Sequence, residues 1–230
     1  MARRTRLLQL FVAGCLFVNA SVTRAVPPAW PQFRGPNGGG VSAEEKPLPV
    51  EFGPEKNCLW KTPLSSGHSP PCISGDKIFV TGYDAEREVL EAICLDRLTG
   101  AILWRSAAPA DKIERAHELG SPAASSTAAD AERVYVYFGS YGLLCYDGKT
   151  GTLHFRERLG AEGSYYASPV AGDGKIYVSS MNGRVVVLEA ADELRVVARN
   201  DLGERVMATP AIADGTLYIR TAAHLYAFRK

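Results

Sequence analysis

Side chains that could bind a ligand recur just before a small residue followed by proline, a pair that appears four times in the chain. His68 and His117 precede the first two pairs, and Tyr166 and Met207 precede the last two. Together they could line a polar and aromatic pocket for a ligand or peptide. The predicted binding face comprises His68, His117, Glu118, Tyr141, Tyr165, Tyr166 and Met207. The alternative is that these residues only satisfy hydrogen bonds within local loops.

These residue types do not support metal or nucleophile chemistry. Two histidines without a third ligand make a poor metal site, and one aspartate per repeat turn supplies too few oxygen ligands for calcium. No serine, histidine and acid stand in a recognisable nucleophile motif. The sequence therefore predicts no metal site and no catalytic residue.

The elements that must position these side chains are four copies of one repeat, from residue 58 to the end of the sequence. A serine–proline or threonine–proline pair opens the copies, at residues 69, 121, 168 and 209. A β-rich run with an aromatic residue follows, then a turn and a second apolar run. A third run with a bulky residue completes the first three copies. The unit recurs at about 40–50 residues, which is typical of propeller blades.

Bulky residues and glycines recur at equivalent positions of the repeat. Trp104 and Phe155 occupy one position, and Trp60 stands at the same position ahead of the first copy. Gly100 and Gly151 end turns that begin with an aspartate, where the carboxylate can accept backbone N–H bonds and glycine can adopt the left-handed conformation. These five residues are predicted to be structural.

The two ends of the repeat array complement each other. The fourth copy has no third run, and an additional third run, NCLWKTPL at residues 57–64, precedes the first copy. We therefore predict an all-β fold, a β-propeller of four-stranded antiparallel blades over residues 57–230. In this prediction the N-terminal strand completes the last blade and closes the ring, which hides edge strands.

The repeat resembles that of a known superfamily. SPVAGDGKIYVSSMNGRVVVLEA at 168–190 and GLLCYDGKTGTLHF at 142–155 are similar to the pyrroloquinoline-quinone-like (PQQ-like) β-propeller repeat. The superfamily includes BamB-like scaffold lipoproteins, quinoprotein alcohol dehydrogenases and exported proteins of planctomycete-type bacteria. The resemblance implies seven or eight blades, whereas this chain has four repeats. A four-blade ring, a half that pairs as a homodimer, and a relative with inner blades deleted remain open.

The resemblance also raises the question of a quinone cofactor. Quinoprotein dehydrogenases bind PQQ with calcium, a stacked tryptophan and a disulfide between adjacent cysteines, and this chain has no adjacent cysteines. Cys94 and Cys145 share a repeat position that takes small apolar side chains, so both are predicted to be buried thiols. A disulfide between Cys58 and Cys72 stays open. We expect no cofactor.

The first 56 residues precede the repeats. A basic start, an apolar run and a small residue at Ala25 predict a secretory signal over residues 1–25. The alternative is a lipid anchor at Cys15. The apolar run is too short for a membrane span.

Residues 26–56 are predicted to form a lead-in or cap. WPQFRGPNGGG at 30–40 would pack Trp30 and Phe33, which adjoin Arg34, against the propeller, and its glycines would turn the backbone. A phosphate loop is not expected, because such a loop needs a strand before it and a helix after it, whereas Val41, Ser42 and a proline-rich run follow here.

Charge and composition narrow the function. Four of the 26 basic residues lie in the first 25 positions, so 22 basic residues stand against 25 acidic ones afterwards, and nucleic acid is not an expected partner. The sequence predicts an exported, periplasmic or extracellular, non-catalytic propeller that binds or scaffolds a protein, or binds a small-molecule or saccharide ligand. The alternatives are a quinoprotein-like oxidoreductase with PQQ and calcium, and a truncated propeller relative without independent function.

Overall fold

Each copy of the repeat folds into its own antiparallel sheet, because short runs of β-branched and aromatic residues alternate with tight turns. The computed structural model describes residues 30–42, 47–109, 113, 120–130, 132–139, 141–160, 164–213 and 215–229. The predicted signal peptide, with Cys15, lies outside the described residues.

Fifteen strands form four sheets, which are the blades. Blade 1 contains β1 (Cys72–Ser74), β2 (Lys77–Asp84), β3 (Val89–Asp96) and β4 (Ile102–Ala107). Blade 2 contains β5 (Ala128–Ala129), β6 (Arg133–Phe138), β7 (Gly142–Asp147) and β8 (Leu153–Glu157). Blade 3 contains β9 (Val170–Gly172), β10 (Lys175–Ser179), β11 (Arg184–Glu189) and β12 (Val196–Asp201). Blade 4 contains β13 (Ala211–Ala213), β14 (Thr216–Arg220) and β15 (Leu225–Phe228).

Strands that are consecutive in the chain pair within each blade, and the first strand lies innermost. β1 contacts β5 and β5 contacts β9, so the short first strands line the central channel. The register shifts after Cys94 in blade 1, after Cys145 in blade 2 and after Val187 in blade 3. These positions are equivalent in the repeat, so the blades share one local geometry.

The core consists of apolar layers between successive blades. The layer between blades 1 and 2 includes Phe79, Cys94, Val136, Phe138, Tyr146 and the half-buried Trp104. The layer between blades 2 and 3 includes Tyr135, Leu143, Ile176, Val186, Leu188 and the half-buried Phe155. Only Val185, Val206 and Ile219 are fully buried between blades 3 and 4 in the described part of the chain. Since hydrophobic stabilisation scales with buried apolar area, blade 4 is held less firmly than the others.

The turn between β7 and β8 shows how the outer strand of one blade packs against the next blade. One Asp147 carboxylate oxygen, Oδ1, accepts hydrogen bonds from the N–H groups of Lys149, at 2.9 Å, and Thr150, at 2.7 Å. Gly151 ends the turn at a φ of 74°. A Cβ atom there would lie 2.6 Å from the Trp104 ring. Glycine is therefore required by the backbone and by the indole that packs on it.

Residues 57–64 occupy the same place against blade 1 that β4 occupies against blade 2. The Trp60 ring packs on Gly100, and its Nε1 donates a hydrogen bond to the Arg97 carbonyl oxygen at 3.3 Å. The Thr62 hydroxyl donates to the Gly100 carbonyl oxygen at 2.6 Å. This segment therefore packs as the outer strand of a preceding blade would.

The ring is not closed within the described residues. β15 pairs with β14 on one side and with no described strand on the other. Leu59 in the N-terminal segment is 94% exposed, and Leu225 in β15 is 67% exposed. Closure by the N-terminal strand therefore stays a prediction, whereas the antiparallel blades of the propeller are present.

Candidate functional site

The N-terminal residues 30–40, here called the channel segment, run across the inner strands of the propeller. Backbone groups of Trp30 and Ile73 in β1 exchange two hydrogen bonds, at 2.9 and 2.8 Å. The Ala129 N–H in β5 donates to the Pro31 carbonyl oxygen at 2.9 Å. The segment therefore contacts blades 1 and 2 with successive residues.

The next residues of the channel segment reach blades 3 and 4. The Gln32 side chain is 3% exposed, and its Oε1 accepts a hydrogen bond from the Ala171 N–H in β9 at 3.2 Å. A short 3-10 turn, Pro36–Gly38, lies against Ala211 in β13. The segment thus touches the inner strands of all four blades in chain order.

The channel segment bends back on itself at two left-handed residues. Gly35 has a φ of 70°, and a Cβ atom there would lie 2.4 Å from the Trp30 ring. Arg34 has a φ of 61°, and its carbonyl oxygen accepts a hydrogen bond from the Gly40 N–H at 2.7 Å. A non-glycine residue in this region is uncommon, so Arg34 stands out among the residues of the segment.

A cavity of about 500 Å³ opens at the mouth of the channel beside this bend. Loops that lead into the inner strands of all four blades line it together with the channel segment. The lining side chains with polar or aromatic groups are Phe33, Arg34, His68, Ser126, Ser168, Tyr166 and Thr209, beside Met207. No aspartate or glutamate lines the cavity among the described residues.

Three residues of the predicted binding face line this cavity. His68 is exposed, and its backbone N–H donates to the Ala123 carbonyl oxygen at 3.0 Å. Tyr166 is 61% exposed and Met207 is 49% exposed. The structure therefore brings parts of blades 1, 3 and 4 together at the mouth. His117 and Glu118 lie outside the described residues.

Two predicted residues pack into the core instead. Tyr165 lies against Tyr137, with ring centroids 4.1 Å apart, in the layer between blades 2 and 3. Tyr141 is 6% exposed and meets Phe138 edge to face in the layer between blades 1 and 2. The Tyr141 N–H bonds to the Phe138 carbonyl oxygen in the β6–β7 turn, and this turn folds the ring back over its own blade. Neither residue belongs to the cavity.

Sequence reasoning placed Phe33 and Arg34 in the N-terminal cap and not in the binding face, and it omitted Ser126, Ser168 and Thr209. Ser168 opens the third copy of the repeat, so its place at the channel mouth was predictable from the sequence. Ser126 lies five residues after Ser121, and only the start of β5 at Ala128 aligns it with Ser168. The sequence around Arg34 gives no indication that Arg34 lies beside loops more than 30 residues away along the chain. Only the path of the channel segment across the channel places it there.

A larger cavity, of about 1290 Å³, lies at the opposite end of the sheets among the tight turns. Its wall carries charges that pair with each other. The Arg133 Nε lies 2.5 Å from the Asp192 Oδ1, and the Lys77 Nζ lies 2.7 Å from the Asp76 Oδ1. Since these opposite charges neutralise each other, the wall offers a ligand less electrostatic selectivity than the channel mouth.

A polar cluster in blade 4 joins its loops. Glu204 accepts a hydrogen bond from the Thr221 hydroxyl at 2.6 Å and lies 2.6 Å from the His224 Nδ1. The hydrogen bond from Thr221, with further help from His224, lowers the pKa of the Glu204 carboxyl to about 2. The cluster ties the loop after β12 to the β14–β15 turn.

The four cysteines of the described chain are all free thiols. Cys72, Cys94 and Cys145 are buried, and burial raises the pKa of each thiol to about 12. Cys58 is exposed and forms no disulfide with Cys72. Buried neutral thiols do not serve as nucleophiles. The prediction of buried thiols at Cys94 and Cys145 is confirmed.

Successive antiparallel blades around a channel define a β-propeller. The chain matches the family model described as Outer membrane protein assembly factor BamB over residues 91–195 and 163–230. The two matches together span more than half of the sequence, so the chain belongs to this family of PQQ-like repeat proteins. No curated protein matches the chain.

Solved structures share the fold. BamB from Moraxella catarrhalis is 20% identical, with a TM-score of 0.51, and the match covers 74% of this chain and 48% of that one. A quinohemoprotein alcohol dehydrogenase from Pseudomonas putida HK5 is 17% identical, with a TM-score of 0.50, and the match covers 67% of this chain and 28% of that one. The chain thus spans about half of the first relative and less of the second.

Two further features bear on function. Within the described ranges, no helix is long and apolar enough to cross a membrane. The same residues contain no group of three or more histidine, cysteine, aspartate or glutamate side chains that could hold a metal ion.

Proposed function

We propose that this chain is an exported, non-catalytic β-propeller module that binds a partner at the mouth of its channel. The observation that carries the proposal is the channel segment, which contacts the inner strands of all four blades. It occupies the channel and leaves a cavity of about 500 Å³ at the mouth. Rigid blades thereby hold several loops around one recess, an arrangement well suited to recognition.

The chemistry of the described residues supports a non-catalytic role. Three of the four thiols are buried with raised pKa values. The channel segment, with Gln32 buried in it, lies where a cofactor in the channel would have to bind. The rings of Trp30, Trp60 and Trp104 each pack on a glycine. With no adjacent cysteines in the sequence, these residues do not fit a quinone held by a stacked indole.

Export and a protein partner rest on the N-terminal sequence and on the matched family. The basic and apolar N-terminus predicts a secretory signal, and the matched family is described as an outer membrane protein assembly factor. A protein ligand is therefore the first class to test. A small-molecule or saccharide ligand is the second class.

Site-specific photo-crosslinking tests the proposed face. A photoreactive phenylalanine at position 166 would sit at the mouth, and a matched control at position 152 would sit on the exposed β7–β8 turn at the opposite end. In a cell-envelope extract of the source organism, we expect a discrete crosslinked product from position 166 and none from position 152. Equal labelling from both positions would contradict a binding face at the mouth.

The oxidoreductase alternative has a direct test. The purified protein is mixed with PQQ and calcium, and binding is followed by absorbance and by dye-linked alcohol oxidation. We expect neither stoichiometric binding nor turnover. Stoichiometric quinone binding with turnover would overturn the non-catalytic proposal.

A further inference from the structure

We propose that the cavity at the channel mouth binds a monoanionic carboxylate carried on an apolar body, and that Arg34 pairs with the carboxylate. The inference rests on the proposed function because it concerns the same face, and it adds the chemical class of the ligand. Nothing in the repeat pattern requires an arginine at this place.

The backbone holds Arg34 in an unfavourable conformation at the cavity. Its φ of 61° is left-handed, and hydrogen bonds on both sides fix the bend: the Gly35 N–H bonds to the Gln32 carbonyl oxygen, and the Gly40 N–H bonds to the Arg34 carbonyl oxygen. Strained residues persist where the surroundings over-determine them, and they cluster at functional sites. Asparagine or glycine would fit this conformation better than arginine.

The Arg34 guanidinium remains available to a ligand. Its central carbon lies 5.4 Å from the centre of the Phe33 ring, and the side chain is exposed. No hydrogen bond or ion pair joins the guanidinium to another residue of the described ranges. The planar fork of donors matches a carboxylate with two parallel hydrogen bonds.

The other side chains that line the cavity indicate which class of anion fits beside Arg34. One guanidinium balances a monoanion, whereas a dianionic phosphate usually requires more donors or cations, and His68 is the only other basic side chain of the described lining. Tyr166 and Met207 are both exposed and can cover an apolar ligand body. Ser126 and Ser168 add hydroxyl groups to the lining.

Two sources share this chemistry: a free aromatic or apolar acid, and the C-terminal carboxylate of a polypeptide with an apolar last residue. The probes are 3-phenylpropionate, the peptide acetyl-Ala-Ala-Phe with a free carboxylate, and the same peptide as its C-terminal amide. Binding to the full protein is measured by calorimetry. The Arg34 side-chain N–H signal is followed by NMR.

We expect at least one acid to bind at least tenfold more tightly than the amide. Arg34→Asn should weaken binding of that acid at least tenfold and leave the amide unchanged. Arg199→Gln, on the exposed outer strand of blade 3, is the matched control and should bind like the wild type. Tight binding of 3-phenylpropionate indicates a small acid, and selective binding of the peptide acid indicates a polypeptide terminus.

A stability measurement separates ligand binding from a structural role. Because asparagine tolerates the left-handed conformation, Arg34→Asn should keep or raise the melting temperature while it removes binding. A lowered melting temperature would assign Arg34 a structural role and overturn the proposal. Unchanged acid binding by Arg34→Asn, or no binding of either acid, would also overturn it. If crosslinking at position 166 still succeeds in that case, the binding face stands and only the carboxylate assignment fails.

Discussion

At the residue scale, contacts between glycine and tryptophan set how closely the elements approach. The same pairing occurs three times, between Trp30 and Gly35, between Trp60 and Gly100, and between Trp104 and Gly151. In each pair the glycine has a left-handed φ and the indole occupies the volume of the missing side chain. The same contact between glycine and tryptophan therefore stabilises both the blade interfaces and the channel segment.

Substitution of Gly151 by alanine tests the contribution of this contact. Gly151→Ala places a methyl group 2.6 Å from the Trp104 ring at a φ of 74°, and we expect the free energy of unfolding to fall by about 2–4 kcal/mol. Gly174→Ala is the control, since its φ is 65° and no atom lies within 4 Å of the new methyl group. It should lose only about 1 kcal/mol, from the backbone conformation. Equal losses in urea unfolding would exclude the indole contact as the cause.

The Glu204 cluster predicts a pH dependence of stability. The pKa of Glu204 is lowered to about 2 in the folded state, so the carboxylate contributes stability above its unfolded pKa of roughly 4.3. That contribution is lost as the pH falls toward 2. The urea midpoint of the wild type should therefore decline over this interval more steeply than that of Glu204→Gln. Glu55→Gln, on an exposed carboxyl, should behave like the wild type, and parallel curves for all three proteins would contradict the prediction.

At the element scale, the channel segment connects blades that otherwise meet only their neighbours. A repeat array gains stability mainly from contacts between adjacent units. The channel segment adds hydrogen bonds to β1, β5 and β9 and packs against β13 of the weakly packed blade 4. It therefore acts as a structural element as well as a wall of the candidate site.

Removal of the Gln32 side chain tests this connection. In Gln32→Ala the Ala171 N–H loses its partner, and an unsatisfied buried donor costs about 1–3 kcal/mol. We expect that loss in urea unfolding and faster amide hydrogen exchange at Ala171. Asn200→Ala, on the exposed outer strand of blade 3, should change neither. Unaltered exchange at Ala171 would show that the bond does not protect blade 3.

At the scale of the whole molecule, the propeller has two complementary unpaired elements. β15 has an outer edge without a described partner, and residues 57–64 pack on blade 1 as an outer strand without a sheet of their own. An unpaired edge with exposed apolar side chains favours association. Pairing of the two elements would complete a four-stranded blade, either within one chain or between two copies.

Hydrogen exchange and mass in solution test this closure. If residues 57–64 pair with β15, outward-facing amides of β15 should exchange more slowly than those at the outer edge of β12, which serves as the internal control. Light scattering on the same sample then distinguishes closure within a monomer from closure between two copies. Equally fast exchange at both edges would contradict closure by the N-terminal strand.

The blades could be predicted from the order of residues alone. Proline pairs, aspartate–glycine turns and β-rich runs act over a few residues, so the strands, the inter-blade positions of Trp104 and Phe155, and the buried Cys94 and Cys145 could be predicted from the repeat. The equivalence of Trp60 to Trp104 was predictable for the same reason.

The composition of the candidate site, in contrast, depends on the three-dimensional path of the chain. Tyr165 adjoins Tyr166 in the sequence and Tyr141 lies in the β6–β7 turn, yet the rings of Tyr141 and Tyr165 turn into the core. The space between blades is set by all side chains that share it. Arg34 lines one cavity with His68, Tyr166 and Met207 because the channel segment bonds to strands up to 139 residues away. Contacts at such sequence separation leave no periodic signal in the chain, so the composition of the channel mouth depends on the folded structure alone.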